Sequence, residues 1–130
     1  MKLEVGMYVR TKSGLIAKYI DIDDIKYLFD KNIYWYYEYY NDYVYKEDFK
    51  EWFEEEVVKT SYTIIDLIEV GDIIRYRIDK VSLATKGYLT GVVDITDEEM
   101  LESIKEDKNY HVLQILTKEQ FEQEAYKVGE

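Results

Sequence analysis

The sequence of 130 residues contains no cysteine and no proline, six glycines and a single histidine. Without cysteine the chain has neither a disulfide framework nor thiolate chemistry, which suits a reducing cytosol. No apolar run approaches the roughly 20 residues that a membrane-spanning helix requires. Glu4 interrupts the first segment before the apolar core of a signal peptide could form. We therefore expect a cytoplasmic protein without a membrane segment.

Motifs that would indicate catalysis or metal binding are missing as well. The sequence has no phosphate-binding glycine loop and no histidine or cysteine spacing typical of a zinc site. His111 lies in a predicted strand, and no serine or cysteine motif accompanies it. The acidic segment Asp21–Asp24 is not an EF-hand loop, because Lys26 and Asn32 stand where such a loop needs glycine and glutamate. The sequence predicts a protein that is not an enzyme and that binds no cofactor and no metal.

The charge that is present is mostly negative and unevenly placed. The net charge is −11, from 28 acidic and 17 basic residues. Residues 38–56 hold eight acidic residues and two lysines, and residues 94–107 hold seven acidic residues and one lysine, a net charge of −6 in each segment. Direct binding to nucleic acid is disfavoured, because it depends on lysine and arginine that neutralise phosphates. A basic protein partner fits this charge better, although acidity also serves solubility.

The hydrophobic pattern predicts one domain over residues 1–130, since no linker interrupts it. A hairpin is indicated around Ser13-Gly14, and "IKYLF", "IYWYYEYY", "YTIIDLI", "IIRYRI", "YLTGVVDI" and "YHVLQIL" are typical of further strands. We expect an α+β fold with a curled antiparallel sheet or a small, partly open β-barrel.

Three helices are expected in this fold. The spacing of Phe49, Trp52, Phe53 and Val57 predicts an amphipathic helix at about 46–57. Two shorter helices are predicted near 97–105 and 117–124, because each is preceded by a capping-box pattern. These patterns pair Thr96 with Glu99, and Thr117 with Gln120.

A faint repeat links the two halves of the chain. "LEVGMYVR" at 3–10 is similar to "IEVGDIIR" at 68–75, since each has an apolar residue, Glu-Val-Gly and a strand that ends in arginine. The repeat indicates either a duplication or ordinary glycine punctuation before a strand.

Three pieces of the sequence carry a resemblance to a known group of proteins. They are "VGMYVRTKSG" at 5–14, "IIDLIEVGD" within 61–72, and "TKEQFE" with "YKV" at 117–128. In these pieces the chain resembles small uncharacterised phage and prophage proteins of Firmicutes. The resemblance implies a phage origin and a bacterial host cell, but it carries over no activity and no site residues. By analogy of origin and charge alone, it suggests an anti-CRISPR-type inhibitor of a host defence nuclease.

The stretch "NIYWYYEYYNDYVY" at 32–45 lies outside those pieces and holds seven tyrosines and one tryptophan. Read as one strand, its residues 33–40 present two largely aromatic faces, of which one packs inward. Tyrosine is enriched at binding hot spots, and carboxylates at helical i, i+3 and i+4 spacing form rows that imitate a phosphate ladder.

The principal hypothesis is a non-enzymatic phage inhibitor that imitates DNA and binds the basic nucleic-acid channel of a CRISPR effector nuclease. The alternative is a phage structural or adaptor protein whose aromatic patch makes a homodimer or larger homo-oligomer, while the carboxylates only solvate the surface. The predicted partner-binding residues are Tyr37, Tyr39, Tyr40, Asp42, Glu47, Asp48, Glu51, Glu54, Glu55, Asp97, Glu98 and Glu102.

Overall fold

The computed structural model describes residues 2–81, 86–124 and 128. The chain divides into two compact units, unit 1 (residues 1–67) and unit 2 (residues 68–130). Both contain antiparallel strands, and the described residues also form three α-helices, which confirms the predicted α+β class. The sheets are curled and do not close into a barrel. The single domain expected over residues 1–130 stays a prediction.

Unit 1 has a five-stranded antiparallel sheet of order β6-β3-β2-β1-β7 and a separate hairpin of β4 and β5. The elements in chain order are β1 (Tyr8–Thr11), β2 (Ile16–Ile22), β3 (Lys26–Phe29), β4 (Tyr34–Tyr36), β5 (Tyr39–Asn41), β6 (Tyr43–Tyr45), α1 (Lys46–Glu56), β7 (Val57–Ser61) and the 3-10 helix η1 (Ile64–Leu67). The predicted hairpin around Ser13-Gly14 is confirmed as β1 and β2.

Helix α1 packs against the sheet through the predicted apolar stripe. Trp52 is buried, and its ring meets that of Phe29 at 5.7 Å between centroids. Phe49 stacks on Tyr27 at 4.0 Å. The core of the unit consists of Val9, Ala17, Tyr19, Phe29, Ile33, Val44, Trp52 and Val57. Because this stripe is buried, the carboxylates of α1 are left on the outer side of the helix.

Unit 2 has a three-stranded antiparallel sheet of order β10-β8-β9. Its elements are β8 (Ile73–Val81), β9 (Lys86–Asp94), α2 (Glu98–Glu106), β10 (Tyr110–Leu116) and α3 (Lys118–Glu124). Leu101 and Ile104 form the buried face of α2. None of the helices in the described chain has the length and apolar character needed to cross a bilayer.

Each unit opens on the Glu-Val-Gly turn that the sequence repeats. In unit 1 the Gly6 N–H donates to the Tyr19 carbonyl at 2.8 Å, and in unit 2 the Gly71 N–H donates to the Ile95 carbonyl at 2.8 Å. The two glycines have φ of +96° and +101°. Other residues adopt this left-handed region only with strain, so both turns depend on glycine.

In each unit, a residue just after the last strand contacts the glutamate of the Glu-Val-Gly turn. The Tyr62 hydroxyl, just after β7, donates to the Glu4 carboxylate, and Lys118, just after β10, pairs with Glu69 at 2.9 Å. In each sheet the strand after the glycine lies between the next strand and the last one. The repeated motif therefore occupies the same structural position in both units and is more than ordinary punctuation.

Three local predictions are wrong. Residues 33–40 are not one strand, because the chain reverses between β4 and β5. "YTIIDLI" does not form a strand. The Ser61 hydroxyl donates to the Asp66 carboxylate at 2.8 Å and accepts the Thr63 N–H at 3.1 Å, and this local network favours η1. Thr96 is not the N-cap of α2, because Asp97 accepts the Met100 N–H at 2.8 Å and the helix begins at Glu98.

The cap expected before the last helix is present. The Gln120 N–H donates to the Thr117 hydroxyl at 3.3 Å, and α3 follows directly. Of the tail that carries the phage-protein resemblance, residues 125–127 lie outside the described residues.

Candidate functional site

The tyrosine-rich stretch folds into a tight two-stranded hairpin. This tyrosine hairpin comprises residues 34–41: Tyr34 pairs with Asn41, and Tyr36 with Tyr39. Its two-residue turn has positive φ at both Tyr37 (49°) and Glu38 (71°). A turn of this kind matches strand twist but usually contains asparagine, aspartate or glycine. The bulky residues found here cost roughly 1–2 kcal/mol each in that conformation, so the turn holds a large aromatic side chain in place against its own preference.

The side chain of Asn41 braces the strained turn. Its Nδ2 donates to the Tyr39 carbonyl at 3.1 Å and lies 3.5 Å from the carbonyls of Tyr34 and Tyr36. Aromatic contacts add to this support, since Tyr34 stacks on Tyr36 at 5.7 Å. The hydrogen bond with Tyr37 raises the pKa of Tyr36 to about 12. The hairpin is therefore ordered by contacts within itself.

Four aromatic side chains of this hairpin face solvent. Their exposed fractions are 57% for Trp35, 78% for Tyr37, 71% for Tyr39 and 43% for Tyr40. Isolated exposed aromatics are common on protein surfaces, whereas a contiguous group of them marks an interaction surface. The sequence could not assign the inward face correctly, because the turn at residues 37–38 breaks the alternation on which that assignment depended.

Helix α1 presents its carboxylates beside the hairpin. Asp48 is half-buried and accepts the Tyr34 hydroxyl at 2.8 Å. Burial, together with this hydrogen bond, raises the pKa of Tyr34 well above its ordinary value. The exposed carboxylates of the helix are Glu47, Glu51, Glu54, Glu55 and Glu56. The Tyr34–Asp48 bond thus fixes the hairpin against the acidic helix.

The negative charge in the last turn of α1 opposes the stability of the helix. Its last turn contains Glu54–Glu56 and no basic residue. A carboxylate at a helix C-terminus meets the negative end of the macrodipole, at about 0.3–1 kcal/mol each. Glu51 and Glu55 are four residues apart, and such like-charge pairs cost about 0.2–0.5 kcal/mol. Helix formation alone does not explain this charge.

Helix α2 differs from α1 in its last turn. Glu98 and Glu99 lie in its first turn, and Asp97 caps the N-terminus. These charges complement the helix dipole, as Glu47 and Asp48 do in the first turn of α1. The last turn of α2 contains Lys105 beside Glu106, whereas the last turn of α1 contains three carboxylates and no basic residue. The carboxylates in the last turn of α1 are therefore the ones that the dipole does not explain.

A cleft of about 510 Å³ lies between the tyrosine hairpin and α1. We call it the α1 cleft. Its lining residues are Thr11, Ser13, Ile33, Tyr34, Trp35, Tyr40, Asp48, Glu51, Trp52, Glu55 and Glu56. Four of these residues are aromatic, four are acidic and none is basic. Its volume lies within the range of about 300–1,000 Å³ typical of ligand pockets.

The predicted site residues occupy three places. Tyr40, Asp48, Glu51 and Glu55 come together in the α1 cleft. Outside that lining, Tyr37 and Tyr39 lie at the tip of the hairpin, Asp42 is exposed between β5 and β6, and Glu47 and Glu54 are exposed on α1. In unit 2 the exposed residues Asp97, Glu98 and Glu102 belong to α2 and its cap.

Seven lining residues were missed from the sequence: Thr11, Ser13, Ile33, Tyr34, Trp35, Trp52 and Glu56. Tyr34 and Trp35 stood within the quoted aromatic stretch and could have been selected there. Trp52 gave no such signal, because its place in the wall depends on how the hairpin folds over the helix.

His111 has a carboxylate partner that the sequence did not reveal. Its Nε2 lies 2.7 Å from Asp79 Oδ2, and the Arg77 Nε lies 3.1 Å from the other oxygen of that carboxylate. In the described chain no hydroxyl or thiol nucleophile is in hydrogen-bond contact with the imidazole. The arrangement is a cross-strand hydrogen bond between β10 and β8.

Within the described residues no group of three or more histidine or acidic side chains is arranged to hold a metal ion. Comparison of the chain with protein-family models, with curated proteins and with solved structures finds no match. Any function must therefore be argued from the site itself.

Proposed function

We propose that this protein is a non-enzymatic, phage-encoded inhibitor of a host defence nuclease. It acts in the bacterial cytoplasm by occupying the basic nucleic-acid channel of that nuclease. The type of nuclease that fits best is a CRISPR effector. The observation that carries the proposal is the exposed tyrosine hairpin held beside the carboxylates of α1.

The negative charge on α1 supports a role of this helix in binding a basic partner. Among the described residues, the carboxylates of Glu51, Glu54 and Glu55 form no ion pair with a lysine or arginine. Protein stability gains nothing from this arrangement, as the helix dipole shows. A partner rich in lysine and arginine would supply the missing cations and would be steered to this surface by its charge.

The aromatic side chains supply the part of the binding energy that charge alone does not. Tyrosine and tryptophan bury large areas with few rotatable bonds and recur among interface hot spots. Tyr37 and Tyr39 are the most exposed aromatic side chains of the tyrosine hairpin, so they would contact the partner next to the acidic row. Nucleic acid is disfavoured as the direct ligand, because the same carboxylates would repel its phosphates.

A cleavage assay tests the proposal. Purified effector nuclease with guide RNA is mixed with the protein before target DNA is added, and the cleaved fraction is measured. We expect the wild type to inhibit cleavage and the triple variant Glu51→Lys, Glu54→Lys, Glu55→Lys to lose inhibition while circular dichroism stays unchanged. A matched control reverses Glu98 and Glu102 of α2. Inhibition that survives in the α1 variant would refute the proposal that the carboxylates of α1 bind the nuclease.

The second candidate function is a phage adaptor that self-associates through the same aromatics. The exposed fractions of Trp35, Tyr37 and Tyr39 favour it, since two hairpins could pack against each other. Sedimentation velocity across a range of concentrations decides between the two functions. A dimer that Tyr39→Ala breaks would support the adaptor, whereas a monomer at all concentrations would exclude it.

A further inference from the structure

The α1 cleft has a more specific composition than a general acidic surface. Trp35 and Tyr40 meet at 4.8 Å between ring centroids with an interplanar angle of 66°, so the two rings form a corner. Both rings remain substantially exposed. Such a corner offers a π-face to any group that enters the cleft.

Carboxylates lie across the same space. Glu51 and Glu55 line the cleft from one face of α1, a single helical turn apart. Side chains four residues apart on a helix have their Cβ atoms about 5–6 Å from each other. Asp48 is already engaged by the Tyr34 hydroxyl at 2.8 Å, which leaves Glu51, Glu55 and Glu56 among the carboxylates of the lining. Of these, Glu51 and Glu55 are one helical turn apart on the same face of α1, so they can receive one ligand together.

We propose that the α1 cleft is the binding site for one arginine side chain of the partner protein. Its guanidinium stacks on the Trp35–Tyr40 corner and donates to Glu51 and Glu55. The inference rests on the proposed function and adds the identity of the anchoring residue.

Two physical properties favour arginine as the occupant. Cation–π attraction is strongest with tryptophan, and arginine forms such pairs more often than lysine. The guanidinium is planar and carries five donors in a fixed fork, so it can stack and bind two carboxylates at once. An ammonium group is a point charge and uses only part of this arrangement. The cleft contains no basic residue that would compete for the site.

The probe for the experiment is N-acetyl-arginine amide, and its control is N-acetyl-citrulline amide, which has a nearly identical shape without the charge. The indole N–H signals of Trp35 and Trp52 are followed by NMR during each titration. We expect saturable shifts of the Trp35 signal with the arginine compound and none with the citrulline compound. Equal shifts with both compounds would overturn the proposal.

Two pairs of variants separate the cleft from the helix charge in general. Glu51→Gln with Glu55→Gln should weaken binding about tenfold, equivalent to roughly 1.4 kcal/mol. Glu47→Gln with Glu54→Gln removes the same charge outside the cleft lining and should change the dissociation constant less than about twofold. Equal weakening by both pairs would overturn the cleft assignment.

The aromatic half of the site has its own pair of variants. Trp35→Ala should abolish binding of N-acetyl-arginine amide, followed through the amide signals of α1. Tyr39→Ala, outside the cleft lining, should leave it unchanged. Retained binding in Trp35→Ala with an intact amide spectrum would overturn the stacking role.

The same variants in the cleavage assay distinguish this inference from the function on which it rests. Inhibition that falls further in the Glu51 and Glu55 pair than in the Glu47 and Glu54 pair supports the arginine site. Equal weakening of inhibition by both pairs would support the inhibitor function but would overturn the proposal that the α1 cleft binds the partner's arginine. A wild-type protein that binds N-acetyl-arginine amide but inhibits no nuclease would support the arginine site and contradict the inhibitor function.

Discussion

Charge reversal at the end of α1 should stabilise the protein. Glu55→Lys removes a negative charge from the last helical turn, where it meets the negative end of the dipole. It also converts the repulsion between residues 51 and 55 into attraction, in the favourable order with glutamate on the N-terminal side. The dipole contribution of about 0.3–1 kcal/mol and the two pair contributions of about 0.2–0.5 kcal/mol each together give roughly 1 kcal/mol.

The reciprocal change in α2 is the matched control. Lys105→Glu places a carboxylate in the last turn of that helix and gives it the arrangement found in α1. It also removes an attraction to Glu102, three residues earlier. We expect Lys105→Glu to destabilise the protein by roughly 1 kcal/mol.

Urea denaturation followed by circular dichroism measures both changes at low ionic strength. Repeating the measurement in 1 M salt should shrink both differences, because the Debye length falls to about 3 Å. If Glu55→Lys destabilised the protein at low salt, the charge in the last turn of α1 would not oppose the stability of the helix. This charge would then need no role in partner binding to explain it.

Three further predictions concern the structure around the site and the repeated turn. Tyr34→Phe should cost about 1–2 kcal/mol through the lost bond to Asp48, whereas Tyr39→Phe should be neutral in the same urea titration. Because the pKa of Tyr34 is raised in the folded state, its contribution is complete below about pH 10 and is lost as the pH rises towards the folded value. The gap between wild type and Tyr34→Phe should therefore narrow above that pH, and a gap that widened would contradict the sign. Gly71→Ala should cost about 1–2 kcal/mol, since this residue has φ of +101° and its new Cβ would lie 3.1 Å from the Lys118 side chain; an unchanged urea midpoint would contradict it. Trp52→Ala should cost about 3–5 kcal/mol, because this side chain is buried in the core of unit 1, and a loss below that of Tyr34→Phe would refute its core role.

Periodicity predicted the elements whose partners are close in sequence. The stripe of Phe49, Trp52 and Phe53 gave α1 within one residue of its observed end. The dipeptide Ser13-Gly14 gave the first hairpin. In both cases the pattern and the packing have the same cause, since one face must be buried.

The errors arose where a local contact overrode the pattern. Aromatic residues favour strands, so the composition of residues 33–40 predicts one strand. Their left-handed turn at Tyr37 and Glu38 is held by Asn41, which no strand or turn propensity of those residues indicates. Likewise the hydroxyl of Ser61 diverts an apolar stretch into η1.

The candidate site was predictable by residue type but not by shape. Carboxylate spacing selected Glu51 and Glu55, and aromatic density selected Tyr40. The cleft that joins them depends on the Tyr34–Asp48 bond between segments fourteen residues apart. A contact of this kind leaves no periodic trace in the sequence.

The most direct test of the account is a binding measurement between the wild-type protein and a purified CRISPR effector nuclease, by calorimetry, with the nucleic-acid channel either empty or filled with target DNA. We predict binding to the empty channel that weakens with salt and disappears once DNA occupies the channel. Binding of equal strength in both states would contradict the claim that this acidic, tyrosine-rich surface takes the place of nucleic acid.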